Sequence, residues 1–228
     1  MALFINAEEL RGLISLEEAI SSVERGFRDQ SEIPAFSLPR QRIMAKDRRL
    51  NIHSGGCVGL GVAGTFIHYE RHRYSHEDQS YAMVGKRVFV AYDSENAALL
   101  AVIVGSLPLF DFEPPEEGFA TETAITSAVG TRYLAREDVR IMGLFGTGRQ
   151  ARRHLKAMCA IRPIERVKVF SRSAENRLAF CAQMKAHVPA ELEPVERPRD
   201  AASGVDLIVC ATGSNVPVLF GEWLEDGV

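Results

Sequence analysis

The sequence predicts an α/β protein in which a mixed α+β domain is followed by a doubly wound parallel sheet. Two observations support this class. In the second half of the chain, apolar runs of strand length alternate with helical patterns, as in a parallel sheet covered by helices. In the first half, one helical pattern precedes several strand patterns separated by turn residues, which favours a mixed α+β arrangement.

The predicted parallel sheet is organised around the stretch from Arg140 to Ala151. Ile141–Phe145 is an apolar run long enough for one buried strand. It leads into Gly146-Thr147-Gly148-Arg149-Gln150-Ala151, which has the form G-x-G-x-x-A, and a helical pattern then continues to Ile161. A strand before the glycines and a helix after them are the context in which this motif binds dinucleotides.

Each small residue of the motif would have a physical role. Gly146 would allow the tight turn, Gly148 would let a diphosphate approach the backbone, and Ala151 would let helix and strand pack closely. The N–H groups at the helix start, with the helix dipole behind them, would attract the anion. We therefore predict a Rossmann-type dinucleotide site at Gly146–Ala151 in preference to a plain strand-turn-helix connection.

The N-terminal part begins with one amphipathic helix. Ser15 and Glu18 form a capping box, and apolar residues recur on one face from Leu16 to about Asp29. Strand patterns follow near Arg40–Met44, Leu50–His53 and Leu60–His68, with Ser54-Gly55-Gly56 and Gly59 as turn residues, and Arg87–Tyr92 with Ala97–Val104 predicts an antiparallel hairpin.

A connector is predicted from Phe110 to Gly118, because this stretch holds two prolines and four acidic residues. A boundary there divides the chain into an N-terminal domain, 1–118, and a dinucleotide-binding domain, 119–228. The second domain would begin with a helix over Thr121–Arg136. Its residues available for packing are Ala124, Ala128, Tyr133 and Leu134.

The alternation of strands and helices continues beyond the glycine motif. The predicted elements are a strand over Arg166–Ser171, a helix over Ala174–Ala186, and strands over Leu192–Glu196 and Val205–Thr212. These give four strands, whereas a complete dinucleotide-binding sheet has about six. We therefore expect the sheet to be incomplete at its C-terminal end.

Bulk properties exclude several classes of function. The net charge of −3 lacks the basic excess that binding to a nucleic-acid backbone needs. No apolar run approaches the length of a membrane span, and the N-terminus does not have the pattern of a signal peptide. The four cysteines form no C-x-x-C pair and predict buried, reduced thiols in a cytoplasmic protein, with Cys210 as a packing residue.

Three segments resemble the ornithine cyclodeaminase/μ-crystallin family: TAITSAVGTRYLAR, IMGLFGTGRQARRHLKAMCAIRPIERVKVFSRS and VDLIVCATGSNVPVLFGEWLEDG. The resemblance implies a homodimer in which the N-terminal domain serves dimerisation and a small-molecule substrate, and a Rossmann domain binds NAD(P). Activities in the family include ornithine cyclodeamination, reduction of cyclic imines and alanine dehydrogenation. They share hydride exchange between nicotinamide and a carbon that bears nitrogen next to a carboxylate.

The chain departs from the residues that members of this family use for the substrate. The resemblance places one carboxylate-binding arginine at Arg42, or alternatively at Arg40, and the lysine on or near Ala63. Glu122 stands where the family has a second arginine. The family's acid-base aspartate has no counterpart up to Val228, so no catalytic residue is assigned.

Glu122 allows three interpretations. A carboxylate would repel a substrate carboxylate by about 1 kcal/mol at 4 Å in water and by more when desolvated. The substrate could therefore present an amine to Glu122, or catalysis could be lost. Alternatively, Glu122 is a solvated acid favoured by the dipole at a helix start.

The cofactor is predicted to be NADP(H) rather than NAD(H). In this fold, an acidic residue after the second strand binds the ribose 2′-hydroxyl of NAD. Here the corresponding tip reads Ser171-Arg172-Ser173, which offers a guanidinium and two hydroxyls to a 2′-phosphate. Thr212, Gly213 and Ser214 close the fourth strand, at the carboxyl edge where cofactors bind, and complete the predicted cofactor site.

The histidines carry no predicted metal site. His68, His72 and His76 recur every four residues, but the segment is charged and lacks an apolar face, which favours a solvated loop. Arg71 and Arg73 in that segment are alternative anion contacts. His154 and His187 are interpreted as surface or helix residues rather than catalysts.

Two functional hypotheses follow. The first is an NAD(P)-dependent oxidoreductase that acts on an amino acid or cyclic imine. The second is a non-catalytic NADPH-binding protein that has lost its substrate carboxylate clamp, which Glu122 and Ala63 favour.

Overall fold

A computed structural model of the protein describes residues 1–32, 36–46, 48–71, 73–75, 80–82, 87–112 and 121–228. The chain forms two compact units. The described residues of the first unit are those within Met1–Ser15 and Ser21–Leu109. The described residues of the second unit are Leu16–Ile20, Phe110–Phe112 and 121–228. The predicted boundary after residue 118 lies outside the described residues and stays a prediction.

The N-terminal elements form mostly antiparallel sheet. They are β1 (Leu3–Asn6), helix α1 (Leu16–Glu32), β2 (Phe36–Ser37), β3 (Gln41–Ala45), β4 (Arg48–Cys57), β5 (Val62–Arg71), β6 (Arg73–Ser75), β7 (Ser80–Ala82), β8 (Arg87–Asp93) and β9 (Leu99–Val104). The main sheet has the order β1-β9-β8-β5-β4-β2, with β3 also paired to β4, and β6 pairs with β7. Only β1 and β9 run parallel among these pairs of the described chain. The predicted hairpin is β8–β9, and α1 extends three residues beyond its predicted end.

The prediction of a turn at Ser54-Gly55-Gly56 is wrong, because all three residues lie inside β4 and pair with β5. Gly55 and Gly56 instead allow Phe36 to pack closely against β4. A Cβ at Gly55 would lie 3.0 Å from the Phe36 carbonyl oxygen, and a Cβ at Gly56 would overlap the Phe36 ring. Glycine here makes room for β2 beside β4.

The predicted solvated loop after His68 is also wrong where the structure describes it. His68 itself lies in β5, and residues 73–75 pair with 80–82 as a two-stranded antiparallel sheet. His72 and His76 lie outside the described residues, as do the side chains of Arg71 and Arg73.

The second unit contains the predicted parallel sheet. Its elements are α2 (Thr121–Leu134), β10 (Ile141–Phe145), α3 (Arg149–Ile161), β11 (Arg166–Phe170), α4 (Ala174–Met184), β12 (Glu191–Pro194), α5 (Pro198–Ala202) and β13 (Leu207–Cys210). The strand order is β12-β11-β10-β13, and every neighbouring pair is parallel. The doubly wound α/β prediction is confirmed for this unit.

Apolar residues of this sheet and its helices form a continuous core. Met142 and Leu144 of β10 and Val167 of β11 are fully buried, as expected for strands covered on both faces. Leu155 and Met158 supply the buried side of α3. The core fixes β10 and α3, and therefore fixes the turn between them.

Three packing predictions need correction. Tyr133 and Leu134 are 58% and 89% exposed, because the buried side of α2 is formed by residues such as Ala124 and Ala128. Phe110, assigned to the connector, is 1% exposed and stacks on Phe112.

The thiols are less buried than predicted. Cys57, Cys159 and Cys181 are only partly buried, and Cys210 is exposed at the end of β13. All four cysteines are free. Among the described helices, none combines the length and apolar character needed to cross a bilayer.

Candidate functional site

The turn after β10 needs glycine at its first position. Gly146 has φ of +112°, and a Cβ on it would overlap the carbonyl oxygen of Ala211. Its N–H donates a hydrogen bond to the Phe170 carbonyl at 2.8 Å, and the Ala211 N–H donates to the Phe145 carbonyl at 2.8 Å. The turn is thereby held between the carboxyl ends of β11 and β13.

Gly148 differs from Gly146 because its surroundings are open. It is the N-cap of α3, and a Cβ built on it would meet no atom within 4 Å. The helix then begins at Arg149, and Ala151 is fully buried. Since the first N–H groups of an α-helix lack partners inside the helix, an anion can approach the turn at Gly148.

A cleft of about 570 Å³ lies in front of this turn. It brings Gly148, Arg149 and Gln150 of the glycine motif together with Thr212 and Gly213 after β13. These five predicted cofactor residues come from two separate segments of the chain and share one cavity at the carboxyl edge of the sheet, where ligands of open α/β folds bind.

Other predicted cofactor residues lie outside the lining of this cleft. Thr147 is within the turn and Ala151 is buried beneath it. Ser214 is exposed; its N–H donates to the Thr212 hydroxyl at 3.3 Å, and its own hydroxyl donates to the Val216 carbonyl at 2.8 Å. Ser214 thus stabilises the loop that presents Thr212 and Gly213.

The segment after β11 leads directly into helix α4. The Ser173 hydroxyl oxygen caps α4 by accepting a hydrogen bond from the Asn176 N–H at 3.1 Å. The Ser171 carbonyl accepts a 2.6 Å hydrogen bond from the buried guanidinium of Arg177. Arg172, between these anchored serines, is exposed. β11 is next to β10, so this segment borders the same edge of the sheet as the glycine turn.

Sequence reasoning missed the wall of the cleft that α2 and α3 form. Thr123 and Ser127 of α2 and His154 of α3 all line it. His154 was interpreted as a surface or helix residue, but its side chain is buried, with the residue 8% exposed. Its Nδ1 lies 2.7 Å from the Gln150 carbonyl oxygen, and its Nε2 lies 3.1 Å from Ser127 Oγ.

The electrostatics of the cleft favour neutral side chains at two positions. Burial of His154 and the positive charge of Arg153 lower the pKa of the imidazole, although the hydrogen bond to Gln150 opposes this. Partial desolvation raises the pKa of the Cys210 thiol, which lines the same cleft. The exposed position of Cys210 on the edge of the sheet gives it access to the cleft, so it is not a packing residue.

Arg42 lies in the first unit, on β3. Its Nε donates a 3.2 Å hydrogen bond to Oδ1 of Asn51, which is completely buried. Strand register places Arg42 opposite Asn51, Asn51 opposite His68, and His68 opposite Arg87. Directly opposite residues share a face of the sheet, so these four form a polar row across four strands.

This row carries cationic and hydrogen-bonding groups. His68 Nε2 lies 3.4 Å from Nε2 of His53, and the Arg87 guanidinium lies over the Phe66 ring at 5.1 Å. The Nδ2 of Asn51 is buried and has no hydrogen-bond partner among the described residues. A donor in this position is costly unless a further group accepts from it.

The other predicted substrate positions have different surroundings. Ala63 lies five residues before His68 in β5, so it is on the opposite face of the sheet from Arg42. Arg40 precedes β3 and is exposed. Glu122 is exposed in the first turn of α2, in the second unit. Among the described residues, no cluster of three or more potential metal ligands is present.

Comparison with known proteins agrees with this architecture. The ornithine cyclodeaminase/mu-crystallin family model matches residues 2–228. A Δ1-pyrroline-2-carboxylate reductase of Bacillus cereus is 34% identical over 106 residues, 46% of this chain and 32% of the relative. An alanine dehydrogenase of Archaeoglobus fulgidus is 25% identical over 228 residues, 99% of this chain and 64% of the relative.

Among solved structures, the Δ1-pyrroline-2-carboxylate reductase of Thermococcus litoralis, in complex with NADH and L-proline, superposes with a TM-score of 0.78 at 26% identity. The match covers 99% of this chain and 66% of that one. The chain thus spans just under two thirds of the length of relatives matched along its whole extent. A family model that covers nearly every residue decides the classification, and the chain belongs to the ornithine cyclodeaminase/mu-crystallin family.

Proposed function

We propose that the protein is an NAD(P)-dependent oxidoreductase that transfers hydride at the C–N carbon of an amino acid or cyclic imine. The observation that carries the proposal is the glycine turn, where Gly146 is required by its backbone conformation and Gly148 opens into a cleft. Thr212 and Gly213 lie in the same cleft, on the side of β13. This arrangement suits a dinucleotide that crosses the carboxyl edge of the sheet.

The residues present fit a nicotinamide dinucleotide. Its diphosphate would lie at Gly148 and the start of α3, and the adenosine ribose at Ser171, Arg172 and Ser173. NADP(H) is favoured over NAD(H), because exposed Arg172 offers a forked cation to a 2′-phosphate and no carboxylate occupies that tip. When bound, the cofactor supplies the hydride chemistry. The protein binds and orients the cofactor and the substrate, and it excludes water from them.

The substrate carboxylate is assigned to the face of the first unit that carries Arg42. Arg42 and Arg87 provide positive charge, and the unpartnered Nδ2 of Asn51 provides a hydrogen-bond donor. A carboxylate matches this set of donors. The relatives named pyrroline-2-carboxylate reductase and alanine dehydrogenase act, by name, on substrates of this class. Glu122, in the second unit, is proposed separately as a partner for a substrate amine.

The non-catalytic hypothesis finds no support in the comparisons. The relatives reported above carry the names of a reductase and a dehydrogenase, and the μ-crystallin of Rattus norvegicus, 27% identical over 136 residues, 60% of this chain and 39% of that relative, is itself named a ketimine reductase. Glu122 and Ala63 alone therefore do not argue for loss of turnover.

We further propose a homodimer formed by the first unit. Among its described residues, the buried apolar side chains are Leu10 and Ala101 alone. Large apolar side chains remain exposed on β1, on β2 and the segment after it, and on β3: Leu3, Phe4, Phe36, Leu38, Ile43 and Met44. A sheet with so small a core is stabilised when a second copy covers it. Sedimentation should give a dimer, and Ile43→Lys should shift it towards monomer, whereas a wild-type monomer contradicts the proposal.

Cofactor binding is tested with Gly148→Val. The added side chain would meet no protein atom but would occupy the diphosphate position, so the fold should persist while NADPH affinity falls. Gly221→Val is the matched control, because a Cβ there also meets nothing within 4 Å and Gly221 does not line the cleft. Equal calorimetric affinities in the wild type and Gly148→Val would contradict the site.

Turnover is tested by NADPH oxidation with a panel of cyclic imines and with pyruvate and ammonia, and by release of ammonia from ornithine in the presence of NADP+. Turnover that requires one of these substrates supports the proposed class. Tight NADPH binding without turnover on any member of the panel would contradict the oxidoreductase assignment and leave the dinucleotide site standing.

A further inference from the structure

His154 belongs to a hydrogen-bond chain that joins two helices at the cleft. The Gln150 carbonyl, the His154 ring and the Ser127 hydroxyl follow one another at 2.7 and 3.1 Å. The Ser127 hydroxyl in turn lies 3.0 Å from the Thr123 carbonyl oxygen. This hydrogen-bond chain therefore runs from the first turn of α3 to the first turn of α2, and all four of its residues line the cleft.

A count of protons shows that this chain is complete only when the imidazole is protonated. Its three contacts need three hydrogens, because the two carbonyl oxygens can only accept. A neutral histidine and a serine supply two: Nδ1–H donates to Gln150, and the Ser127 hydroxyl can donate either to Nε2 or to Thr123. A second proton on Nε2 lets His154 donate to Ser127 while Ser127 donates to Thr123.

In the unliganded protein, several features oppose that second proton. Burial lowers the pKa of His154, and Arg153 contributes a like charge. Arg149, another cation of α3, lines the cleft, and the Cys210 thiol is held neutral by desolvation. The α2 residues in the cleft, Thr123 and Ser127, are uncharged. No acidic residue is among the residues that line this cleft, so a negative charge there would have to come from a ligand.

We propose that His154 is a positioning residue of the dinucleotide site that takes up one proton from solvent at Nε2 when the diphosphate enters the cleft. The inference rests on the proposed function, since it needs a dinucleotide at Gly148. The diphosphate favours the imidazolium by its charge. The Ser127 hydroxyl then turns from Nε2 to the Thr123 carbonyl, and the completed chain fixes α2 against the first turn of α3.

The sign of the pH dependence follows from linkage. Binding that takes up a proton weakens as pH rises between the pKa of free His154 and the higher pKa of the complex. Within that window the dissociation constant should rise by up to about tenfold per pH unit. Burial and the charge of Arg153 hold the pKa of free His154 below the ordinary histidine value, so the window begins below that value and extends upwards.

Calorimetry of NADH and ADP-ribose binding, in two buffers of different ionisation enthalpy, measures the proton uptake. NADH avoids the titrating 2′-phosphate of NADPH, and ADP-ribose keeps the diphosphate without nicotinamide. We expect uptake of a substantial fraction of a proton for both probes in the wild type and none in His154→Gln. His187→Gln is the matched control, because His187 contacts Asp111 and Phe112 and does not line the cleft.

A second readout keeps the test independent of the variant's folding. Imidazole NMR titration of the wild-type protein should show a higher pKa for His154 with ADP-ribose than without it, while His187 serves as the internal reference. Binding with no proton uptake, equal uptake in His154→Gln, or an unchanged His154 titration each overturns the inference but leaves the dinucleotide site intact. Absence of binding by NADH, ADP-ribose and NADPH alike overturns the proposed function and this inference with it.

Discussion

Asp206 accepts a 2.9 Å hydrogen bond from the backbone N–H of Arg140, 66 residues earlier in the chain. The same oxygen accepts from the Ile141 N–H at 2.9 Å, and the other oxygen pairs with Arg136 at 2.7 Å. One carboxylate thereby ties the starts of β10 and β13 together. These strands end at the glycine turn and at the Thr212 loop. Asp206 therefore fixes β10 and β13 relative to each other at the end of the strands that lies away from the candidate cofactor site.

The hydrogen bond from Arg140, together with that from Ile141 and the charge of Arg136, lowers the pKa of Asp206 against the effect of desolvation. Its stabilising contribution is therefore fully present above the ordinary pKa of aspartate, about 4, and is lost as pH falls through the lower folded-state pKa. Asp206→Asn should reduce the free energy of unfolding at neutral pH by about 1–3 kcal/mol. It should also flatten the acid limb of stability measured by urea unfolding.

Asp226→Asn is the control for this prediction, since Asp226 is exposed. It should change neither the stability nor its pH profile. A wild-type acid limb in Asp206→Asn would show that the three hydrogen bonds do not depend on the charge of this carboxylate.

The Arg162 guanidinium closes the C-terminal end of α2. It donates to four carbonyls there at 2.8 to 3.3 Å, those of Thr131, Arg132, Ala135 and Arg136, and to the Ile161 carbonyl at 3.0 Å. The Thr131 carbonyl also accepts from the Ala135 N–H. Since Arg162 is buried, its removal would take this donor away from the carbonyls of Arg132, Ala135 and Arg136. Arg162→Ala should cost about 2–3 kcal/mol of unfolding free energy. Arg162→Lys should recover only part of it, because an ammonium group cannot span the same acceptors.

Arg166→Ala provides the comparison in the same urea experiment. Its pair with Glu191, at 3.8 Å, is exposed and should contribute less than about 1 kcal/mol. Equal destabilisation by Arg162→Ala and Arg166→Ala would contradict a helix-closing role for Arg162.

The parallel sheet could be predicted because its signals are local. The apolar run Ile141–Phe145, the glycines after it and the helical pattern up to Ile161 are each encoded within a few residues. The place of Thr212 and Gly213 in the same cleft as Gly148 could also be predicted, since the carboxyl ends of parallel strands meet at one edge of the sheet.

Features that depend on distant parts of the chain were not accessible in this way. Gly56 looks like a turn residue until the Phe36 ring is seen beside it, 20 positions earlier. His154 gains its meaning from Ser127, 27 residues away on another helix. Nothing in the helical spacing around His154 signals that partner, because the spacing identifies a buried side and not the residue that faces it.

Cofactor preference is tested at Arg172. Arg172→Ala should weaken NADPH binding by about 10- to 100-fold, the loss expected for a charge-assisted contact with the 2′-phosphate, and leave NADH binding unchanged. Fluorescence titration with both cofactors measures the difference. Arg166→Ala, at the opposite end of β11, should affect neither cofactor. A wild-type protein that binds NADH as tightly as NADPH would contradict the NADP(H) assignment.

The proposed contact between Glu122 and a substrate amine is tested by charge reversal. Glu122 is exposed in the first turn of the helix, where the dipole favours an acid, so Glu122→Arg should cost at most about 1 kcal/mol of stability. If Glu122 meets the substrate amine, the reversal of charge should raise KM for that substrate at least about tenfold while the NADPH dissociation constant stays within twofold. Glu137→Arg, a charge reversal on the segment between α2 and β10, is the control for the change in net charge. Tighter binding of L-proline by Glu122→Arg would instead show that the wild-type glutamate repels a carboxylate, and unchanged steady-state kinetics in the variant would return Glu122 to a solvated helix-start acid.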